Sequence, residues 1–104
     1  MFVKSPPYRI QFTPEAGEHV KDLSARERAT LLDGVERQLL HEPTRETRNR
    51  KPLRPNPVAQ YRLRLGSLRV YSDVDEGPPA IVLVRAVGVK VRQRVLIGGK
   101  EVML

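Results

Sequence analysis

Residues 61–71 read YRLRLGSLRVY, and their alternation decides the fold. Tyr61, Leu63 and Leu65 alternate with Arg62 and Arg64. Beyond Gly66-Ser67, Leu68 and Val70 alternate with Arg69 and Tyr71. Period-two alternation sends successive side chains to opposite faces of a strand. A glycine followed by a small polar residue suits a two-residue type II′ turn. With Gly66-Ser67 as the turn, Leu65 opposes Leu68, Arg64 opposes Arg69, Leu63 opposes Val70 and Arg62 opposes Tyr71. One face of this β-hairpin is apolar and suits a core. The other sets two like charges directly opposite each other, which destabilises a sheet. An anionic ligand, most simply a phosphate, would turn that repulsion into a binding site.

The chain has 104 residues and a formal net charge of +7. That length is enough for one domain, residues 1–104, with a modest core. Residues 44–71 contain Arg45, Arg48, Arg50, Lys51, Arg54, Arg62, Arg64 and Arg69 against the single acid Glu46, a surplus equal to the whole net charge. Charge gathered in this way points to a phosphate-rich or acidic partner on one side of the molecule. Cysteine is absent, so disulfides and thiolate metal sites are excluded, in keeping with a cytoplasmic chain. No apolar run approaches membrane-spanning length, and MFVKSPPYRI lacks the apolar core of a signal peptide.

Upstream of the hairpin, residues 8–12 (YRIQF) alternate as a first strand. Thr13-Pro14-Glu15 opens a helix: Thr13 suits the N-cap, Pro14 the first helical position and Glu15 the positive end of the dipole. Ala16, Val20 and Leu23 fall on one side. Ser24-Ala25-Arg26-Glu27 is a capping-box pattern that opens a second helix. Leu32, Val35 and Leu39 follow i, i+3, i+7 spacing beside Leu31; Gly34 weakens this helix and Pro43 closes it. Four prolines among five bases over residues 43–57 predict an irregular, extended connector. Residues 80–87 (AIVLVRAV) predict a strand buried on both faces, broken by Gly88. Beyond it, Gly98-Gly99 allows a terminal hairpin or a released tail. Strand, helix, helix and three strands make an α+β fold, an antiparallel β-sheet packed against an N-terminal helical hairpin with the arginines on the open face.

Across roughly residues 8–96 the chain resembles the RelE/ParE toxin superfamily of bacterial type II toxin–antitoxin systems. The resemblance rests on the Thr13-Pro14 helix start, the helical hairpin, the arginine hairpin, and the apolar strand ending Val87-Gly88 before a basic segment. It implies a β-α-α-β-β-β domain with a short C-terminal tail or hairpin, and a cognate antitoxin that neutralises it. RelE-like members cut mRNA on the ribosome without a metal or other cofactor and so inhibit translation; ParE-like members poison DNA gyrase. Carried over by motif, the RelE-like basic residues fall on Arg62, Arg64, Arg69 and Lys90, with Arg92 or Arg94 for the last if the register slips. The family's late acid–base residue falls near Leu96, and no Tyr or His follows Tyr71.

Metal-free RNA cleavage turns the 2′-hydroxyl on its own phosphate. It needs a base, an acid and cations for the phosphorane charge. The planar donors of Arg62, Arg64 and Arg69 match phosphate oxygens. Tyr71 and Lys90 are then the candidates for proton transfer, with Tyr71 as a packing residue beside Arg62 the plainer alternative. Arg45, Arg48, Arg50, Lys51, Arg54, Arg92 and Arg94 are candidate RNA contacts. His19 and His41 stand alone on helical segments and read as helix-surface or helix-end residues. Asp73, Asp75 and Glu76 precede a Gly-Pro-Pro turn and read as a solvated loop. The leading expectation is a ribosome-associated mRNA endonuclease. A gyrase-directed toxin is the alternative that Leu96 motivates, and a catalytically silent, antitoxin-bound co-repressor module is the third.

Overall fold

Two helices lie against one face of a mixed sheet. The computed structural model describes residues 7–103; residues 1–6 and 104, with most of the N-terminal segment read above for a signal peptide, lie outside the described residues. The elements run β1 (Arg9–Phe12), α1 (Pro14–Lys21), α2 (Ala25–Leu39), β2 (Arg50–Pro52), β3 (Tyr61–Leu65), β4 (Leu68–Asp75), β5 (Ile81–Val91), β6 (Arg94–Ile97) and β7 (Lys100–Val102). Strands β2 to β7 follow one another across the sheet in chain order, each antiparallel to the next. Strand β1 departs from the expected antiparallel order. It runs parallel to β5, pairing Arg9–Phe12 with Ile81–Val84.

Local chemistry sets the helix starts as read. Thr13 Oγ1 accepts the Ala16 N–H at 3.1 Å with Pro14 in the first turn. Ser24 and Glu27 close a reciprocal capping box, with bonds of 3.1 and 2.8 Å. The apolar stripe of α2 runs through Val35 and Leu39 as expected but begins at Leu31 rather than Leu32. Leu31, Val35 and Leu39 are buried, whereas Leu32 is 53% exposed. Gly34 belongs to that stripe for a steric reason: a β-carbon there would lie 2.6 Å from the Leu65 side chain. These residues pack with Ala16 and Leu23 on Leu63, Leu68, Val70, Val82, Val84 and Val87 of the sheet.

Three further expectations are corrected. Residues 50–52, in the supposedly irregular connector, form edge strand β2. Gly88 does not end the apolar strand; β5 runs through it to Val91 because β6 lies against it, with Ile97 and Val95 side-chain atoms 3.0 Å from where its β-carbon would stand. The arginine face is not simply open. Ala59, Tyr71 and Ala86 form a second apolar cluster there, joined by Leu53 and Val58 of the connector and by Val95 and Ile97 of β6. Gly98 and Gly99, at φ 60° and 79°, turn β6 into β7, so the terminal segment is a hairpin.

One gap in the sheet is closed by side chains. Strands β1 and β6 lie end to end along the same edge of β5, which leaves residues 85–87 between them without a strand partner on that edge. Thr13 Oγ1 donates to the Arg85 carbonyl at 3.2 Å, and the Val87 N–H donates to His19 Nδ1 at 3.2 Å. Unpaired backbone groups of this kind are costly when buried, and the first and last turns of α1 satisfy them.

Candidate functional site: an arginine cavity

The hairpin has the register its alternation demands. Arg62 pairs with Tyr71, Leu63 with Val70, Arg64 with Arg69 and Leu65 with Leu68. Gly66 takes φ 63° while Ser67 does not enter the left-handed region, as a type II′ turn requires. Strand β2 adds a further cation, for Lys51 stands opposite Arg62. On the far side Gly88 stands opposite Arg69, and Lys90 lies on the same face, opposite Val95.

These residues line a cavity of about 400 Å³, walled by Lys51, Arg62, Arg64, Arg69, Tyr71, Lys90 and Arg94 and closed on one side by Val102 and Met103 of the terminal hairpin. Each arginine is held differently. Arg69, 6% exposed, donates through Nη1 to the Gly66 and Leu68 carbonyls at 2.7 and 2.9 Å, so the turn fixes it. Arg64 Nη2 donates to the Arg48 carbonyl at 2.8 Å, which ties the hairpin to the connector. Arg62 Nε is buried and has no acceptor among the described residues. None of the three makes an ion pair among those residues.

The electrostatics follow from that packing. Burial lowers the Arg62 pKa below its ordinary value, and Arg64 lowers it further. Burial does the same at Arg69, helped by Arg62 and Arg64. An arginine begins so high that these groups stay charged at neutral pH. Tyr71 is 2% exposed, and burial raises its phenol above the ordinary value of 10.0 against the pull of Arg62 and Arg69. At neutral pH it therefore carries its proton and can give one, not take one. A pocket of fixed cations beside a phenol can hold a tetrahedral anion and protonate a departing oxygen.

The other candidates scatter. Arg50 is 4% exposed and directed away from the cavity; its Nη1 and Nε donate to the Gln38 and Arg45 carbonyls, bolting the connector to the end of α2. Arg45 pairs with Glu42 at 3.0 Å. Arg48 contributes its carbonyl to Arg64, as above. Lys51 lines the cavity, while Arg54 lies on the adjoining connector. Arg92 occupies the β5–β6 turn at φ 58°, outside the cavity lining. Leu96 pairs with Val89, which pairs with Leu68, and all three lie on the helix side. A side chain at position 96 thus cannot reach the arginines whatever its chemistry. His19 serves β5 as described, and Asp73 accepts the Gln60 N–H at 2.8 Å and pairs with Arg85 at 3.3 Å. The sequence reading missed Leu53, Gln93, Val95, Glu101, Val102 and Met103 as cavity walls; for the last three the Gly98-Gly99 pair was the one signal. Among the described residues no group of three His, Cys, Asp or Glu could hold a metal ion, and no helix is long and apolar enough to cross a membrane.

No protein-family model matches the chain. No curated protein matches it either. Among solved structures it is similar to the RelBE2 toxin–antitoxin complex from Mycobacterium tuberculosis, at 26% identity and a TM-score of 0.68, over 81% of this chain and 99% of the matched one. The likeness is one of fold, two helices against a largely antiparallel sheet, as the arginine hairpin and the helix starts implied.

Proposed function

We propose that the chain is the toxin of a type II toxin–antitoxin pair, and that it cleaves translated mRNA at the ribosome. The observation that carries the nuclease reading is the arginine cavity, where three guanidinium groups without carboxylate partners converge and one buried donor, Arg62 Nε, is left unmade. The likeness to a toxin–antitoxin complex supports an antitoxin partner. In the reaction a base takes the 2′-hydroxyl proton, the freed oxygen attacks the adjacent phosphorus, and the bond to the 5′ oxygen breaks. The products are a 2′,3′-cyclic phosphate and a 5′-hydroxyl end. Arg62, Arg64 and Arg69 hold the phosphorane oxygens, and Tyr71 gives its proton to the leaving oxygen. Lys90 is the remaining proton-transfer candidate on this face. The positive connector adds salt-dependent contacts to ribosomal RNA.

Controlled expression in a bacterium, with RNA 5′ ends mapped by sequencing, tests this. New ends within translated messages are expected for the wild type and absent for a folded Arg64→Ala/Arg69→Ala variant. A second reading, a gyrase-directed or other non-nuclease toxin, draws on one observation: among the described residues the cavity lining holds no histidine and no aromatic residue besides Tyr71. Growth arrest with intact messages and inhibited gyrase would decide for it.

A further inference from the structure

We propose that the arginine cavity is one end of a longer track for single-stranded RNA, and that the groove between the connector and the end of β4 seats a base flanking the cut, read by Gln60. The inference rests on the nuclease reading above. Lys51 and Leu53 line both the arginine cavity and a neighbouring hollow of about 470 Å³ formed by residues 51–56. Arg54 and Asn56 of that hollow also line an open groove of about 790 Å³ that reaches Gln60, Tyr61, Asp73 and Arg85. The three concavities therefore share walls along the connector, in sequence from the arginines to Gln60.

Charge along this path suits a polynucleotide. At the crossing, Lys51 and Arg54 are exposed, and their side chains make no hydrogen bond or ion pair among the described residues. The far groove is balanced instead. Asp73 is neutralised by Arg85 at 3.3 Å, and Glu76 accepts the Tyr8 hydroxyl at 2.6 Å. Free cations at the crossing suit phosphates, and a neutral groove suits a base.

The groove is also built in advance. Asn56 pins the connector with four bonds: Nδ2 to the Arg54 and Ala59 carbonyls at 2.7 and 2.9 Å, and Oδ1 from the Val58 and Ala59 N–H groups at 2.7 and 3.0 Å. The Leu53 N–H donates to the Gln60 carbonyl at 2.8 Å. Gln60 Oε1 accepts the Val74 N–H at 3.0 Å, which fixes the amide plane, and Nε2 has no acceptor among the described residues. An amide that can only donate selects a base edge that accepts, guanine O6 or uracil O4, over the exocyclic amines of adenine and cytosine.

Fluorescence anisotropy on the full chain, with 2′-O-methyl uridine dinucleotide, hexauridylate and hexaadenylate as uncleavable probes, tests the track. Hexauridylate should bind at least about tenfold tighter than the dinucleotide and several-fold tighter than hexaadenylate, by the ordinary worth of one base-edge contact. Gln60→Glu keeps the bond from Val74 and should abolish the uridine preference without changing dinucleotide affinity. Arg54→Ala should weaken hexamers alone and make the slope of log K against log salt shallower by roughly 0.7, one phosphate contact. If both variants bind hexamers as the wild type does while Arg64→Ala weakens every probe, the track is overturned and the nuclease reading stands. If the wild type binds the dinucleotide and both hexamers equally, the track falls while the arginine cavity stands as the anion site.

Discussion

Replacing Arg62 by Met should make the protein more stable and inactive at once. Arg62 Nε is buried without an acceptor, and leaving a buried donor unmade costs about 1–3 kcal/mol. Lys51 stands directly opposite, and relieving one like-charged cross-strand pair is worth about 0.2–1 kcal/mol. Methionine keeps the unbranched apolar stem that Arg62 lays along the sheet, so little packing is lost. A net gain of about 1–2 kcal/mol raises the melting temperature of a domain of this size by roughly 5–15 °C. Thermal unfolding by circular dichroism at low salt reads that shift, and a urea titration with unchanged slope confirms it as stability. Sulfate supplies the complementary arm. An anion that binds only the folded state at a hundred times its Kd stabilises by about 2.7 kcal/mol, so sulfate should raise the wild-type midpoint further than the variant's, beyond the general salting effect common to both. A variant that melts at or below the wild-type temperature would refute the idea that Arg62 is held unsatisfied for a ligand.

Tyr71→Phe should leave the fold intact and slow RNA cleavage by about 10²–10⁴-fold, measured with purified ribosomes and a defined message. Since burial holds the Tyr71 phenol above 10.0, its proton is present throughout the neutral range. The alkaline limb of the pH–rate profile should stay flat to about pH 10 and fall only beyond it. His19→Ala leaves the Val87 N–H unpaired in the gap of the sheet and should cost about 1–3 kcal/mol in urea unfolding. Arg50→Met strips a charged donor from the Gln38 and Arg45 carbonyls. It should cost about 1.5–3 kcal/mol and speed amide exchange across residues 45–52.

What the sequence made legible was local. The Gly66-Ser67 turn and strict alternation placed Arg64 against Arg69 correctly, because register in a tight hairpin follows from the turn. The Thr13 and Ser24 caps were readable because each is satisfied within three residues. What escaped depends on partners far along the chain. Strand β2 contains Pro52 and exists because β3 offers it an edge; β1 is parallel because its partner lies some seventy residues on. Gly88 looked like a strand end and proved to be the place where β6 must come close. In the site, the clustering of Arg62, Arg64 and Arg69 was legible, whereas the removal of Arg50 was not, since only tertiary structure brings the end of α2 within its reach. Leu96 looked like a replaced catalytic residue, and the register turns that position to the other face.

The terminal hairpin has a consequence for timing. Val102 and Met103 wall the arginine cavity, and the first strand finds its partner only at residues 81–84. Neither the sheet nor the proposed site is whole until the last strands have left the ribosome. On the proposed nuclease reading, a nascent chain has no complete arginine cavity until residues 102–103 emerge, so cleavage waits for that hairpin to close.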